Sequence, residues 1–203
     1  MLGFVDRLAR RLGAAAPTPG VGAGERSPAP GPGSSPAPRR AAVAAVLHDE
    51  PEGPRVLLMK RVERVGDPWS GHISLPGGGY QASDASLLET AIRETREELG
   101  VDLSPAQLIG SLAPLHPRAA GPFGIEVTPF VFATRTAVEP VCGPEALAAF
   151  WLPLTLAASG TLDATYTYPS TQAAFPSWQY AGHVIWGLTW RILGELLATG
   201  RAP

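Results

Sequence analysis

Apolar and polar positions follow several different rhythms along this chain. Residues 41–47 (AAVAAVL) are apolar without a break, as in a buried strand. Residues 48–54 form a polar turn and residues 55–60 (RVLLMK) a second strand, so the pair predicts a hairpin. Farther on, Leu88, Ala91, Ile92, Thr95 and Leu99 recur every three or four residues, which is the stripe of an amphipathic helix. Ser83 or Asp84 can cap its start, and Gly100 ends it. Short strands are expected at 72–75, 108–112 and 126–134, with Pro129 marking the last as an edge or a bulge. Ile185, Leu188, Ile192 and Leu193 return to helical spacing, which predicts a terminal helix from residue 183 through Leu197.

One long stretch has no rhythm. Gly, Pro, Ala and Ser dominate residues 13–40, and little there can be buried. Residues 1–38 therefore read as a disordered Gly/Pro/Ala-rich leader, and residues 39–203 as the folded domain. The first twelve residues (MLGFVDRLARRL) carry a brief amphipathic pattern, read as a frayed helix that either packs on the domain or has no role. On this reading the leader is dispensable for activity.

Candidate chemistry lies on the polar side of the central helix. Glu94 and Glu98 are four residues apart and Glu94 and Glu97 three, so all three share a face. Like charges so placed repel, and a hard divalent cation such as Mg²⁺ or Mn²⁺ offsets that repulsion through oxygen ligands. Ahead of the helix, Leu75-Pro76-Gly77-Gly78-Gly79 can bring backbone groups close to a phosphate or metal. Lys60, Arg61 and Arg64 precede that loop and could neutralise a diphosphate.

The motif as a whole resembles the Nudix box: Gly, five residues, Glu, seven residues, then Arg-Glu-aliphatic-x-Glu-Glu-x-Gly-aliphatic. Arg93, Glu94, Glu97, Glu98, Gly100 and Val101 match, and Thr95 stands at the aliphatic position. From Gly78, five residues lead to Asp84, where Glu is usual, and eight more lead to Arg93. That extra residue, with Pro76-Gly77-Gly78 and Ile185-Trp186-Gly187-x-Thr189, resembles the coenzyme A diphosphatase branch. Two features depart from the branch. The stretch before Gly71 lacks its Arg and His, and Ala148 replaces the second glutamate of a later segment in which Glu145 keeps the first.

The resemblance implies an α/β fold, a Nudix-type α/β/α sandwich with a mixed sheet. It implies Mg²⁺ or Mn²⁺ held by Glu94, Glu97, Glu98 and the Gly77 carbonyl. Glu97, Glu98 and Arg93 are the catalytic candidates, and Arg61, Arg64, Gly78, Gly79 and Arg118 the substrate-binding ones. His116, Glu126 and Glu145 are alternative sources of a base. The aromatic stretch at 161–183 is either a specificity insertion or a flap over the core. The implied substrate is a small nucleoside-diphosphate-linked molecule, with coenzyme A or its acyl esters first. NADH, nucleotide sugars, nucleoside triphosphates and a silent nucleotide-binding domain are the alternatives.

Composition narrows the setting. A net charge of -2 over 203 residues gives no general attraction to nucleic acid. A single cysteine, Cys142, allows no internal disulfide and points to a reducing, cytoplasmic setting. No apolar run is long enough for a membrane span, and a homodimer stays open.

Overall fold

The computed structural model describes residues 3–15, 38–66, 69–103, 107–117 and 124–201. Its elements in order are α1 (Phe4–Ala15), β1 (Arg39–Glu50), β2 (Gly53–Arg61), β3 (Ile73–Ser74), β4 (Gly77–Gly79) and α2 (Leu87–Leu99). They continue with β5 (Gln107–Ser111), β6 (Ile125–Thr134), β7 (Ala146–Pro153), α3 (Leu154–Ala158), β8 (Asp163–Thr167), β9 (Ala174–Tyr180), β10 (His183–Trp186) and α4 (Gly187–Gly200).

The uninterrupted apolar run of β1 has its reason in the sheet: β1 is central and covered on both faces. The main sheet runs β3-β2-β1-β6-β5, with β4 also pairing β1 and β7 also pairing β2. β1 and β6 are parallel and the other pairs antiparallel, so the sheet is mixed. Ala42, Ala44 and Val46 with Leu57, Met59 and Phe132 pack beneath α2. Ala45 and Leu47 with Val56, Leu58, Val131 and Leu152 pack against α1 and α4. A register slip of one residue would exchange the two faces, so this double burial pins the register. The result is the expected α/β/α sandwich with a mixed sheet.

Several local expectations change. β1 continues through His48 to Glu50, and the turn is only two residues, because His48 pairs with Arg55 instead of bending. β6 is an interior strand, not an edge. Pro129 is tolerated because β5 ends beside it: Ser111↔Phe130 is the last pair, after which Leu112 N–H donates to the Pro129 carbonyl (2.9 Å). The terminal helix starts at Gly187, since His183–Trp186 is used as a strand against β9. β8, β9 and β10 form a separate three-stranded sheet that carries the aromatic stretch.

The largest correction is at the amino end. Phe4–Ala15 is not a disordered leader but a docked helix, with Leu8 and Leu12 in the core of the α1/α4 face. Arg7 Nε donates to Gly200 O (2.7 Å) and Arg11 Nη1 to Thr199 O (2.8 Å), so two guanidiniums satisfy carbonyls at the end of α4. Phe4 packs where a β-carbon on Gly200 would sit, and Leu12 where one on Gly110 would. The apolar content of residues 4–12 is small but spaced to fill one groove. The low-complexity residues 16–37 lie outside the described residues.

Candidate active site

α2 is built to present its polar face rigidly. Ser86 caps it, its Oγ accepting from Glu89 N–H (3.2 Å), while Glu89 reaches back to accept from Ala85 N–H. The cap is thus Ser86, not Ser83 or Asp84. Thr95, at the position where the box is usually aliphatic, is buried, with its hydroxyl donating to Ala91 O (2.7 Å). Gly100 ends the helix at φ 63°. Beyond it, Val141 N–H and Gly143 N–H donate to Leu99 O and Glu98 O (both 2.8 Å), closing the last carbonyls.

The glycine loop is strand β4, lying across from Ala41, Ala42 and Val43 of β1. Gly77, at φ 150°, has no room for a β-carbon, which would strike Ala42 O and Val43 Cα. A β-carbon on Gly78 would lie 2.6 Å from the Glu94 carboxylate. Gly77 N–H donates to Glu98 Oε2 (2.8 Å). Glu94 and Glu98 therefore both face the loop. Glu98 is only 2 % exposed, and burial pushes its carboxyl up to about 7, Glu94 and Glu145 adding to the rise while Gly77 N–H and Arg61 oppose it. Glu94 is also raised, chiefly by burial, with Arg93 opposing.

Arg93 gathers the acidic groups around it. It makes a two-pronged bond to Asp84 (Nε to Oδ1 2.8 Å, Nη2 to Oδ2 3.0 Å) and reaches Glu94 (2.9 Å), Glu97 (3.1 Å) and Gly79 O (3.4 Å). Asp84 is buried and also accepts from Thr90 Oγ1 (2.8 Å) and Gln81 N–H (3.0 Å). Its hydrogen bond from Arg93 holds its carboxyl well below the usual carboxylate range. In the sequence Asp84 reads only as a cap or as a substituted box residue. Its slot nine residues before Arg93 was the available signal for this role.

The remaining candidates divide. Arg61 reaches the site, Nη1 lying 3.8 Å from Glu98 Oε1. Arg64 pairs with Glu145 (3.1 Å), and Glu145 lies close enough to raise both Glu94 and Glu98. His116 and Glu126 pair with each other (Nε2 to Oε2 3.2 Å). Arg118 lies outside the described residues. Among the described residues, no three His, Cys, Asp or Glu side chains converge tightly enough to enclose a metal ion. Glu94 and Glu98 meet at the loop, whereas Glu97 is 59 % exposed and turned to Arg93. The donor chemistry nonetheless fits a hard divalent cation: two carboxylates, four residues apart, converge on glycine backbone and are raised chiefly by burial, Glu94 adding to the rise of Glu98.

Residues 38–171 match the model of the NUDIX domain, more than half of the chain. The chain belongs to the Nudix hydrolases. It is a Nudix pyrophosphohydrolase, an enzyme that hydrolyses diphosphate linkages. It is 32% identical over 163 residues to the uncharacterized Nudix hydrolase NudL of Yersinia pestis, covering 78% of each chain, and equally to that of Yersinia pseudotuberculosis. Its fold is that of a NUDIX hydrolase from Alicyclobacillus acidocaldarius (TM-score 0.56, 18% identity, 83% of this chain and 95% of that one). It also resembles a C. elegans Ap4A hydrolase (TM-score 0.50, 19% identity, 60% of this chain and 84% of that one). Among the described residues, no helix is long and apolar enough to cross a membrane.

Proposed function

We propose that this enzyme is a Mg²⁺- or Mn²⁺-dependent diphosphatase acting on coenzyme A or an acyl-coenzyme A. The observation that carries the metal dependence is the meeting of Glu94 and Glu98 at Gly77 and Gly78. Those two carboxylates, with the Gly77 carbonyl, would hold the ion. A bound divalent ion polarises the phosphoryl oxygens and lowers the pKa of water. The chain's own residues orient the rest. Asp84 fixes Arg93, Arg93 fixes Glu94 and Glu97, and Gly77 N–H fixes Glu98. Glu97, exposed and held by one Arg93 nitrogen, is the box carboxylate with room to turn toward an attacking water and take its proton. Arg61 supplies positive charge beside Glu98 for the diphosphate.

The substrate rests on the residues shared with the coenzyme A diphosphatase branch. They act together in this fold. Thr189 Oγ1 donates to Ile73 O (3.0 Å), and the Trp186 ring packs edge-on to His72 (5.0 Å), so the Ile185–Thr189 motif braces the segment that enters the glycine loop. The test is hydrolysis of coenzyme A, NADH, a nucleotide sugar and a nucleoside triphosphate with Mg²⁺, with Mn²⁺ and with chelator. Release of 4'-phosphopantetheine from coenzyme A as the fastest reaction, abolished by chelator, supports the reading. Faster cleavage of another member of the panel rejects the substrate.

A further inference from the structure

We propose that the end of the glycine loop away from the glutamates is an anion subsite, built by Arg39, Arg40 and Tyr80, for a phosphomonoester that the substrate carries outside its diphosphate. The proposal rests on the reading of the enzyme as a diphosphatase of nucleoside-linked substrates.

A cavity of about 350 Å³ is lined by Arg39, Arg40, Gly79, Tyr80 and Ile125. It shares Gly79 with the carboxylate site, because the Gly79 carbonyl accepts from Arg93. β1 pairs Ala41 with Gly79 and Ala42 with Gly78, so Arg40 continues the face of Ala42 and Ala44, and Arg39, at the very start of the strand on the alternate face, lines the cavity from its rim. At about 3.3 Å per residue, they begin within roughly 10 Å of the point where Gly78 meets Glu94.

The cation is held in place. Arg40 Cζ lies 4.9 Å from the Tyr80 ring centroid, and Tyr80 N–H donates to Arg40 O (2.9 Å). The neighbouring acid, Glu126, sits in register with Arg40 on β6, but its carboxylate is turned to His116. The cations at the other end of the site, Arg61 and Arg64, lie against Glu98 and Glu145 and serve the diphosphate end. A second phosphate is repelled from that acidic end and favoured where guanidiniums offer paired donors. The Tyr80 face is a flat apolar wall for the adjoining sugar or base.

The test compares calorimetric binding of adenosine 3',5'-bisphosphate and adenosine 5'-monophosphate, which differ only in the phosphomonoester. The proteins are the full-length wild type, Arg40→Gln and the double variant Arg39→Gln/Arg40→Gln, each checked for an unchanged melting transition. The wild type should prefer the bisphosphate by at least ~10-fold, as befits one or two charge-assisted contacts. That preference should shrink in Arg40→Gln and approach unity in the double variant. Equal affinity of the wild type for both nucleotides, no binding of the bisphosphate, or a preference kept in the double variant overturns the subsite. Cleavage of coenzyme A is scored separately, so failure of the substrate reading is distinguishable from failure of the subsite.

Discussion

At the residue scale, the two glycines of the loop do different work. The position for a β-carbon on Gly77 is filled by backbone, and its φ of 150° suits only glycine, so Gly77→Ala should disturb the fold itself. At Gly78 the obstacle is the flexible end of Glu94, so Gly78→Ala should melt near the wild type yet lose at least ~10-fold in kcat through displacement of that carboxylate. Melting curves beside turnover separate the two, and equal behaviour of the variants would contradict this assignment. Glu98→Gln removes a charge that burial already penalises and keeps the bond from Gly77 N–H. It should lower turnover by at least ~10²-fold while leaving the metal-free protein as stable as the wild type or more so at pH 8. These residues were legible in sequence because the box spacing fixes one helical face. The partners of Arg93 were only half legible. Glu94 and Glu97 neighbour Arg93 on the helix itself, whereas Asp84 meets it only because the segment before α2 folds back on the helix, and Glu89, four residues before Arg93, accepts from Ala85 N–H.

At the element scale, α1 is a docked helix where a disordered leader was expected. Leu8 is fully buried, and Leu8→Ala should cost about 2 to 5 kcal/mol, as for other buried leucines. A chain beginning at Arg39 would also leave the α4 carbonyls of Thr199 and Gly200 without their arginines. Its melting temperature should fall by several degrees or more. An unchanged melt would show that α1 docks without contributing stability. A short amphipathic pattern before a low-complexity stretch cannot reveal its groove, because that groove is formed by β5 and α4, both distant in sequence.

For the whole molecule, stability without metal should depend on pH through groups of opposite sign, Asp84 and Glu98 foremost. The Asp84 pKa is lowered on folding, so its contribution is present above the unfolded value near 4 and is lost as pH falls. Glu98 is raised from 4.5 to about 7, so its contribution is complete below 4.5 and is lost as pH rises through 7. In chelator, the melting temperature should therefore decline between pH 5 and pH 8, and the decline should be clearly shallower in Glu98→Gln, the raised Glu94 supplying what is left. Addition of Mg²⁺ should restore more stability at pH 8 than at pH 5, since the ion binds the ionised carboxylate. Equal slopes in the wild type and Glu98→Gln would show that Glu98 is not the titrating group.

The sequence by itself determined the local choices: the β1–β2 hairpin, the amphipathic α2 ending at Gly100, and three glutamates on one face after a glycine loop. Periodicity and glycine chemistry decide these within a few residues. Only the tertiary structure decided where they meet. β1 is interior because β6 pairs with it in parallel across a long separation, and that pairing lines up Arg40 with Glu126. The segment 183–186 is strand and not helix because β9 lies alongside it, although its spacing suits either. Glu98 is buried because Gly77, twenty-one residues away, closes over it. Each outcome depends on contacts distant in sequence, which no window of periodicity contains.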